Sequence, residues 1–164
     1  MADRLFNVLF LCTHNSARSV MAEALLNTIG AGRFHAFSAG SMPSGRINPF
    51  ALEKCKSLGY LTDHLRSKTW DEFATPGAPK MDIIITVCDD AAGEVCPVWP
   101  GHPATAHWGF PDPSTVEGDD AAKRAAFDQV FHAIRRRIDL LVNLPLEKLE
   151  RLALAAELKR IHAQ

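Results

Sequence analysis

The apolar run Leu5-Phe6-Asn7-Val8-Leu9-Phe10-Leu11 passes without a break into Cys12-Thr13-His14-Asn15-Ser16-Ala17-Arg18-Ser19. The run reads as a buried strand. Residues 17–29 carry Val20, Ala24 and Leu25 on one stripe at helical spacing, and Ser16 is a residue type that caps helix N-termini. Strand, tight loop and helix in that order commit the chain to packing a helix against a sheet.

The alternation continues along the chain. Residues 33–40 read as a second strand ending in a turn, followed by loop to Asn48. A helix is expected over 49–58, with Pro49 in its first turn and Gly59 near its end. Asp71-Glu72-Phe73 belongs to a short helix stopped by Pro76 and Gly77. Residues 81–87 are the clearest central strand: short, apolar and β-branched. Next come a loop over 88–103, a fourth strand at 105–108 and a loop over 109–119. A long helix over 120–143 places Ala121, Ala125, Val130, Ile134, Ile138 and Leu141 near one face. Pro145 breaks it, and 146–161 reads as a separate amphipathic segment carrying Leu149, Leu152, Leu158 and Ile161. The domain proper is therefore expected over 1–144, with 145–164 as a helical extension of the same domain. Strands alternating with helices imply right-handed crossovers and a parallel α/β sheet. Such sheets bind ligands at the carboxyl ends of their strands. Cys12, Cys88 and the loop after Trp108 fall at such ends.

A chain of 164 residues suffices for one domain with a full core. Its formal net charge of −1 argues against a general nucleic-acid binder, which carries a basic face. No apolar run approaches the roughly 18 residues of a membrane span, and no signal-peptide pattern opens the chain. A cytoplasmic protein away from membranes is expected. Four cysteines at this size do not suggest a disulfide scaffold. In a reducing compartment they are structural, catalytic or redox-active.

The loop after the first strand carries the chemistry. Amides of a loop running into a helix N-terminus converge on one point, and the helix dipole adds positive potential there. Arg18, separated from Cys12 by five residues, adds a two-pronged donor for a tetrahedral oxyanion. The same field lowers a thiol pKa, so Cys12 is expected as a thiolate. Residues 13–19 thus form an oxyanion-binding loop around a nucleophile: Thr13, His14, Asn15, Ser16, Ala17, Arg18 and Ser19. Asn15 is suited to bracing the loop, because Asn tolerates left-handed backbone geometry. His14 is expected toward solvent, and Ser19 within reach of the Cys12 thiolate.

Cys88 and Cys96 are separated by seven residues, too many for a Cys-x2-Cys motif. Three readings stay open: a disulfide pair formed if the intervening segment unwinds, a zinc site with His102 and His107, or two unreactive cysteines. Asp112, between Pro111 and Pro113, is held extended. It suits either a general acid protonating a leaving oxygen or a turn-forming Asp. Cys55 reads as a partly exposed, non-catalytic cysteine. Arg135-Arg136-Arg137 reads as a solvated helix face.

Together, the Cys12–Ser19 loop, Ser38-Ala39-Gly40, Thr86-Val87-Cys88 with Cys96-Pro97, and His107-Trp108-Gly109-Phe110 followed by Asp112-Pro113 resemble the arsenate reductases built on the low-molecular-weight protein tyrosine phosphatase fold. The phosphatases share the first loop and the Asp-Pro pair but generally lack the paired downstream cysteines. The resemblance implies a three-layer domain with a central four-stranded parallel sheet. It implies catalytic roles for Cys12, Arg18, Cys88, Cys96 and Asp112. Cys12 would attack arsenate, Cys88 would form a disulfide with Cys12, and Cys96 would move it to Cys88–Cys96. The partner implied is thioredoxin, or alternatively glutathione with glutaredoxin. The electrons come from thiols, so neither a cofactor nor a metal is needed. Ala17 replaces a second loop cysteine common in the family. Some members bind potassium at positions matching Asn15 and Glu23; here the region of a further acidic ligand holds Lys68, which would supply the charge instead. The runner-up reading is a phosphatase hydrolysing phosphoesters through a Cys12 phosphoenzyme. A thiol-based metal or arsenite sensor comes third.

Overall fold

The computed structural model describes residues 5–87, 103–145 and 158–162. Strand β1 (Phe6–Leu11) leads into helix α1 (Arg18–Ile29), followed by β2 (Phe34–Ala39) and α2 (Pro49–Ser57). A 3-10 turn at Trp70–Phe73 precedes β3 (Ile83–Thr86) and β4 (Ala104–His107). A second 3-10 turn, Pro113–Thr115, precedes the long helix α3 (Asp120–Val142). The strands form one parallel sheet in the order β2-β1-β3-β4.

The register aligns the strand ends. Leu11 lies opposite Ala39 on one side and Thr86 on the other, and Thr86 lies opposite His107. The segments that begin at Cys12, Gly40, Val87 and Trp108 therefore leave the sheet along one edge. That edge is where a parallel sheet presents ligand-binding loops.

Helix α1 lies against the sheet and is buried nearly all round, from Ser19 to Leu26 without interruption. A helix so enclosed is a core helix rather than an amphipathic surface one. Helices α2 and α3 complete this layer. Phe127, Val130, Phe131, Ile134, Ile138 and Leu141 form the inner stripe of α3. Ala121 and Ala125, expected on that stripe, are exposed. The two phenylalanines displace the inner face by part of a turn and fill more volume than alanines can. Ile84, Leu9 and Leu11 on the opposite sheet face pack against Trp70, Phe73 and Met81 around the first 3-10 turn.

Local signals set the helix boundaries. The Asn48 side chain accepts from Phe50 N at 2.9 Å, with Pro49 in the first turn of α2. Asp119 caps α3 by accepting from Ala122 N at 2.9 Å. At its other end Arg33 donates to the Val142 and Leu144 carbonyls, a side-chain solution to orphaned helix carbonyls. Helix α1 departs from expectation: it starts at Arg18, Ala17 holds the cap position, and no side chain caps it. Ser16 falls short of the cap position, and its carbonyl is engaged by Asn48 N at 2.8 Å.

Residues 158–162 are helical, and Leu158 and Ile161 are buried in the main core. Trp108, fully buried beyond β4, donates its indole N–H to the Leu158 carbonyl at 3.1 Å. The C-terminal apolar stripe thus packs on its own domain at these two positions. Leu149 and Leu152 lie outside the described residues. Trp108→Phe removes the donor and part of the ring. It should lower the unfolding free energy by about 2 kcal/mol, read as a reduced urea midpoint.

Candidate active site

The loop between β1 and α1 is shaped by where its carbonyls point. The Thr13 carbonyl accepts from Met42 N at 2.9 Å, and that of Ser16 from Asn48 N at 2.8 Å. The His14 carbonyl accepts from Ser44 N at 3.0 Å and Ser67 Oγ at 2.9 Å. In a planar trans peptide the C=O and the next N–H point in opposite directions. Carbonyls drawn outward therefore turn the amides of His14, Asn15 and Ala17 toward the inside of the loop. Helix α1 adds its uncapped first turn and the positive end of its dipole.

Asn15 holds this turn. Its φ of 48° lies in the left-handed region, which Asn tolerates, and its side chain is fully buried. Its Oδ1 accepts from Lys68 N at 2.9 Å and its Nδ2 donates to Ser19 Oγ at 2.8 Å. Gly40 meets the loop from the other side. A Cβ there would lie 2.5 Å from the Thr13 carbonyl oxygen and 2.6 Å from that of Cys12, so only glycine fits.

Cys12 is buried at the start of this loop, and its amide donates to the Ala39 carbonyl at 3.2 Å. Arg18 projects from the first residue of α1. Its Nη1 donates to the Phe110 carbonyl at 3.0 Å, and its Nη2 lies 3.4 Å from Asp112 Oδ2. The structure thus joins the loop arginine to the Asp-Pro segment 94 residues away in sequence. The turn-forming reading of Asp112 is the one its contacts show. Its Oδ1 caps the Pro113–Thr115 turn by accepting from Ser114 N at 2.9 Å and Ser114 Oγ at 2.7 Å, while Oδ2 faces Arg18.

Behind the loop lies a charged pair in which Lys68 brings its charge to Glu23, as the resemblance implies. Lys68 Nζ sits 3.9 Å from Glu23 Oε1, and Ser38 Oγ donates to the same carboxylate oxygen at 2.5 Å. Burial pushes the Glu23 carboxyl above its usual range, against the downward pull of Lys68 and Ser38. Burial likewise pushes the Lys68 ammonium down, against the opposing effect of Glu23. The potassium site of related proteins does not fit these residues. Asn15 Oδ1 is occupied by Lys68 N, and the Lys68 side chain already brings a positive charge to Glu23.

His14 is exposed, with Nδ1 3.2 Å from the Met42 carbonyl, in keeping with its expected outward position. Cys55 differs from expectation. It is fully buried on α2, and burial pushes its thiol up to about 12. It belongs to the core stripe with Ala51, four residues earlier. The arginine run also divides: Arg135 and Arg136 are exposed, but Arg137 is half-buried. Its Nη1 donates to the Gly109 carbonyl at 3.3 Å and its guanidinium lies 4.5 Å from the Phe110 ring centre. Cys88, Cys96 and His102 lie outside the described residues. Val87, the residue before Cys88, donates its amide to the Leu11 carbonyl at 2.8 Å. His107 pairs with Thr86, Nδ1 to Oγ1 at 2.7 Å. Among the described residues, no group of three or more His, Cys, Asp or Glu side chains gathers to hold a metal ion, and no helix is long and apolar enough to cross a membrane.

A thiol in an amide cradle, an arginine fork and a facing carboxylate define a class of oxyanion-handling proteins. The family described as low molecular weight phosphotyrosine protein phosphatase matches residues 7–155, and the chain belongs to that family. Within it, the chain falls with the arsenate reductases. One from Halalkalibacterium halodurans is 37% identical over 131 residues, covering 80% of this chain and 91% of that protein. The crystal structure of an arsenate reductase from Archaeoglobus fulgidus matches with a TM-score of 0.59 at 30% identity, over 80% of this chain and 98% of that one. A thioredoxin-dependent arsenate reductase from Corynebacterium glutamicum matches with a TM-score of 0.56 at 28% identity, over 86% of this chain and 65% of that one.

Asn15→Ala removes two buried hydrogen bonds and places an alanine at positive φ. It should cost about 3 kcal/mol of stability, measured by urea unfolding. The Glu23 environment sets a pH dependence. An acid whose folded-state pKa is raised binds more protons in the native than in the unfolded state, so its contribution is present below the unfolded value and lost as pH rises through the folded one. Wild-type stability should therefore fall relative to Glu23→Gln as pH rises from 4.5, the ordinary carboxylate value, through the raised one. Urea midpoints of both proteins across that range check the sign.

Proposed function

We propose that the protein reduces arsenate to arsenite, with Cys12 as the nucleophile. The observation that carries this reading is the 37% identity to an arsenate reductase over 80% of this chain, in a sequence that holds Cys88 and Cys96 beyond the oxyanion loop; the Arg18–Asp112 pairing at 3.4 Å supports the oxyanion step. Arsenate binds in the amide cradle and accepts from the Arg18 N–H groups that the Phe110 carbonyl and Asp112 leave open. Asp112 then lies beside the oxygen that must leave. The Cys12 thiolate attacks arsenic, Asp112 supplies a proton, and water departs. Ser19, whose oxygen already accepts from Asn15, has a hydroxyl proton to offer the Cys12 thiolate. Thr13, His14, Ser16 and Ala17 act through their backbone, and Asn15 also through the side chain that braces the loop.

Completion of the cycle needs two electrons from thiols. Cys88 attacks the Cys12 sulfur, the S–As bond breaks with its electron pair going to arsenic, and arsenite leaves. A Cys12–Cys88 disulfide remains. Cys96 attacks Cys88, releases the Cys12 thiolate and leaves Cys88–Cys96 for an external dithiol to reduce. A thioredoxin is the donor favoured by the Corynebacterium glutamicum relative, and glutathione with glutaredoxin is the alternative. The cytoplasm suits a chain that must return three cysteines to thiols. Residues 1–144 are read as the catalytic domain and 145–164 as its helical extension. Leu158 and Ile161 in the common core support that assignment.

The phosphatase reading uses Cys12, Arg18 and Asp112 alone, and weak phosphoester hydrolysis is compatible with either reaction. The relay cysteines discriminate. Cys12→Ser, Cys88→Ser and Cys96→Ser should each abolish multiple-turnover arsenate reduction with thioredoxin and its reductase. Full turnover in Cys88→Ser would overturn the relay. Replacing thioredoxin by glutathione with glutaredoxin in the same assay identifies the donor.

A further inference from the structure

The loop over 109–112 supplies both groups that meet Arg18, and among the described residues two guanidinium groups hold it at Gly109 and Phe110. One is Arg18 itself, through the Phe110 carbonyl at 3.0 Å. The other is Arg137, which donates to the Gly109 carbonyl at 3.3 Å and lies over the Phe110 ring at 4.5 Å. The Phe110 residue is therefore clamped between two guanidinium groups, one on its ring and one on its carbonyl. We propose that Arg137 is a positioning residue for the oxyanion site, holding the 109–112 loop so that the Phe110 carbonyl and the Asp112 carboxylate both engage Arg18.

The chemistry of the residue fits that task. A guanidinium can stack on an aromatic face and donate in its own plane at the same time, which a lysine or an aliphatic side chain cannot do. Arg135 and Arg136, beside it in sequence, are exposed, whereas Arg137 gives up part of its hydration to reach the loop. It sits on α3, three residues after Ile134 and four before Leu141, both buried in the core. The helix is thus a rigid base, and Arg137 transmits its position to a loop. Loss of the clamp lets Phe110 turn, and Arg18 then loses one of its two fixed partners.

The proposal rests on the oxyanion-site reading of the Cys12 loop, and the test separates the two. In full-length protein, phosphate protection of Cys12 against iodoacetamide, followed by mass spectrometry of the Cys12 peptide, gives an oxyanion affinity independent of turnover. Arsenate reduction gives kcat and KM across pH. Arg137→Ala should weaken phosphate binding about fivefold, lower kcat/KM for arsenate about tenfold and alter its pH profile. Arg137→Met keeps the apolar stem, guards against misfolding of the alanine variant and should behave similarly. Combined with Asp112→Asn, the losses should be less than additive, because both act through one loop. Unchanged phosphate affinity with only a lowered thermal midpoint, or strictly additive losses, overturns the positioning role. Phosphate protection without any arsenate turnover defeats the reductase reading, while the phosphate affinities of the variants still decide Arg137. No phosphate protection in the wild type overturns both.

Discussion

Outward-bonded carbonyls in the Cys12 loop are the constraint on which the rest of the site depends. Thr13, His14 and Ser16 each lend a carbonyl to the 42–48 segment, and His14 also to Ser67. Peptide planarity converts that outward grip into inward-facing amides. Without it, the loop would satisfy its donors internally, and the arginine fork of α1 would have no cradle to complete. Asn15 in its left-handed conformation and Gly40 at close approach are the two residues whose covalent geometry makes the grip possible.

The in-register parallel sheet provides the second condition. Because Leu11, Ala39, Thr86 and His107 stand abreast, the segments that follow them emerge on one edge. The Arg18–Asp112 encounter follows from that alignment, with Phe110 as the intermediary. Electrostatics is then settled locally. Arg18 answers Asp112 on the open side, and Lys68 answers Glu23 on the buried side, where the charge would otherwise cost the most.

Strand–loop–helix order, the parallel sheet and the oxyanion loop could all be read along the chain, because each rests on neighbours within a few turns. The misreadings have physical causes. Ser16 has the right side chain for a cap, but its place belongs to a loop that turns its polar groups elsewhere. Ala121 and Ala125 fit an apolar stripe, yet Phe127 and Phe131 fill the inner face more fully. Cys55 repeats Ala51 at helical spacing, a signal of burial that outweighs its lysine neighbours. Arg137 also carried a signal, since it falls between Ile134 and Leu141 on the inner side of α3, but three identical arginines in a row obscure it. Local spacing does not mark Lys68 as the partner of Glu23, 45 residues away; the family resemblance alone pointed to it.

By itself the sequence determined the strand-to-helix turn that places Cys12 and Arg18 on one loop, because that feature obeys short-range backbone geometry. It also holds Cys88 and Cys96, on which the proposed relay rests. Only the tertiary structure decided how the distant groups meet around the loop. Lys68 behind the loop, Phe110 and Asp112 in front of Arg18, and Arg137 on the Phe110 ring depend on strand register and helix packing across the whole domain. Contacts of that kind are set by the shared core, and no segment read alone contains them.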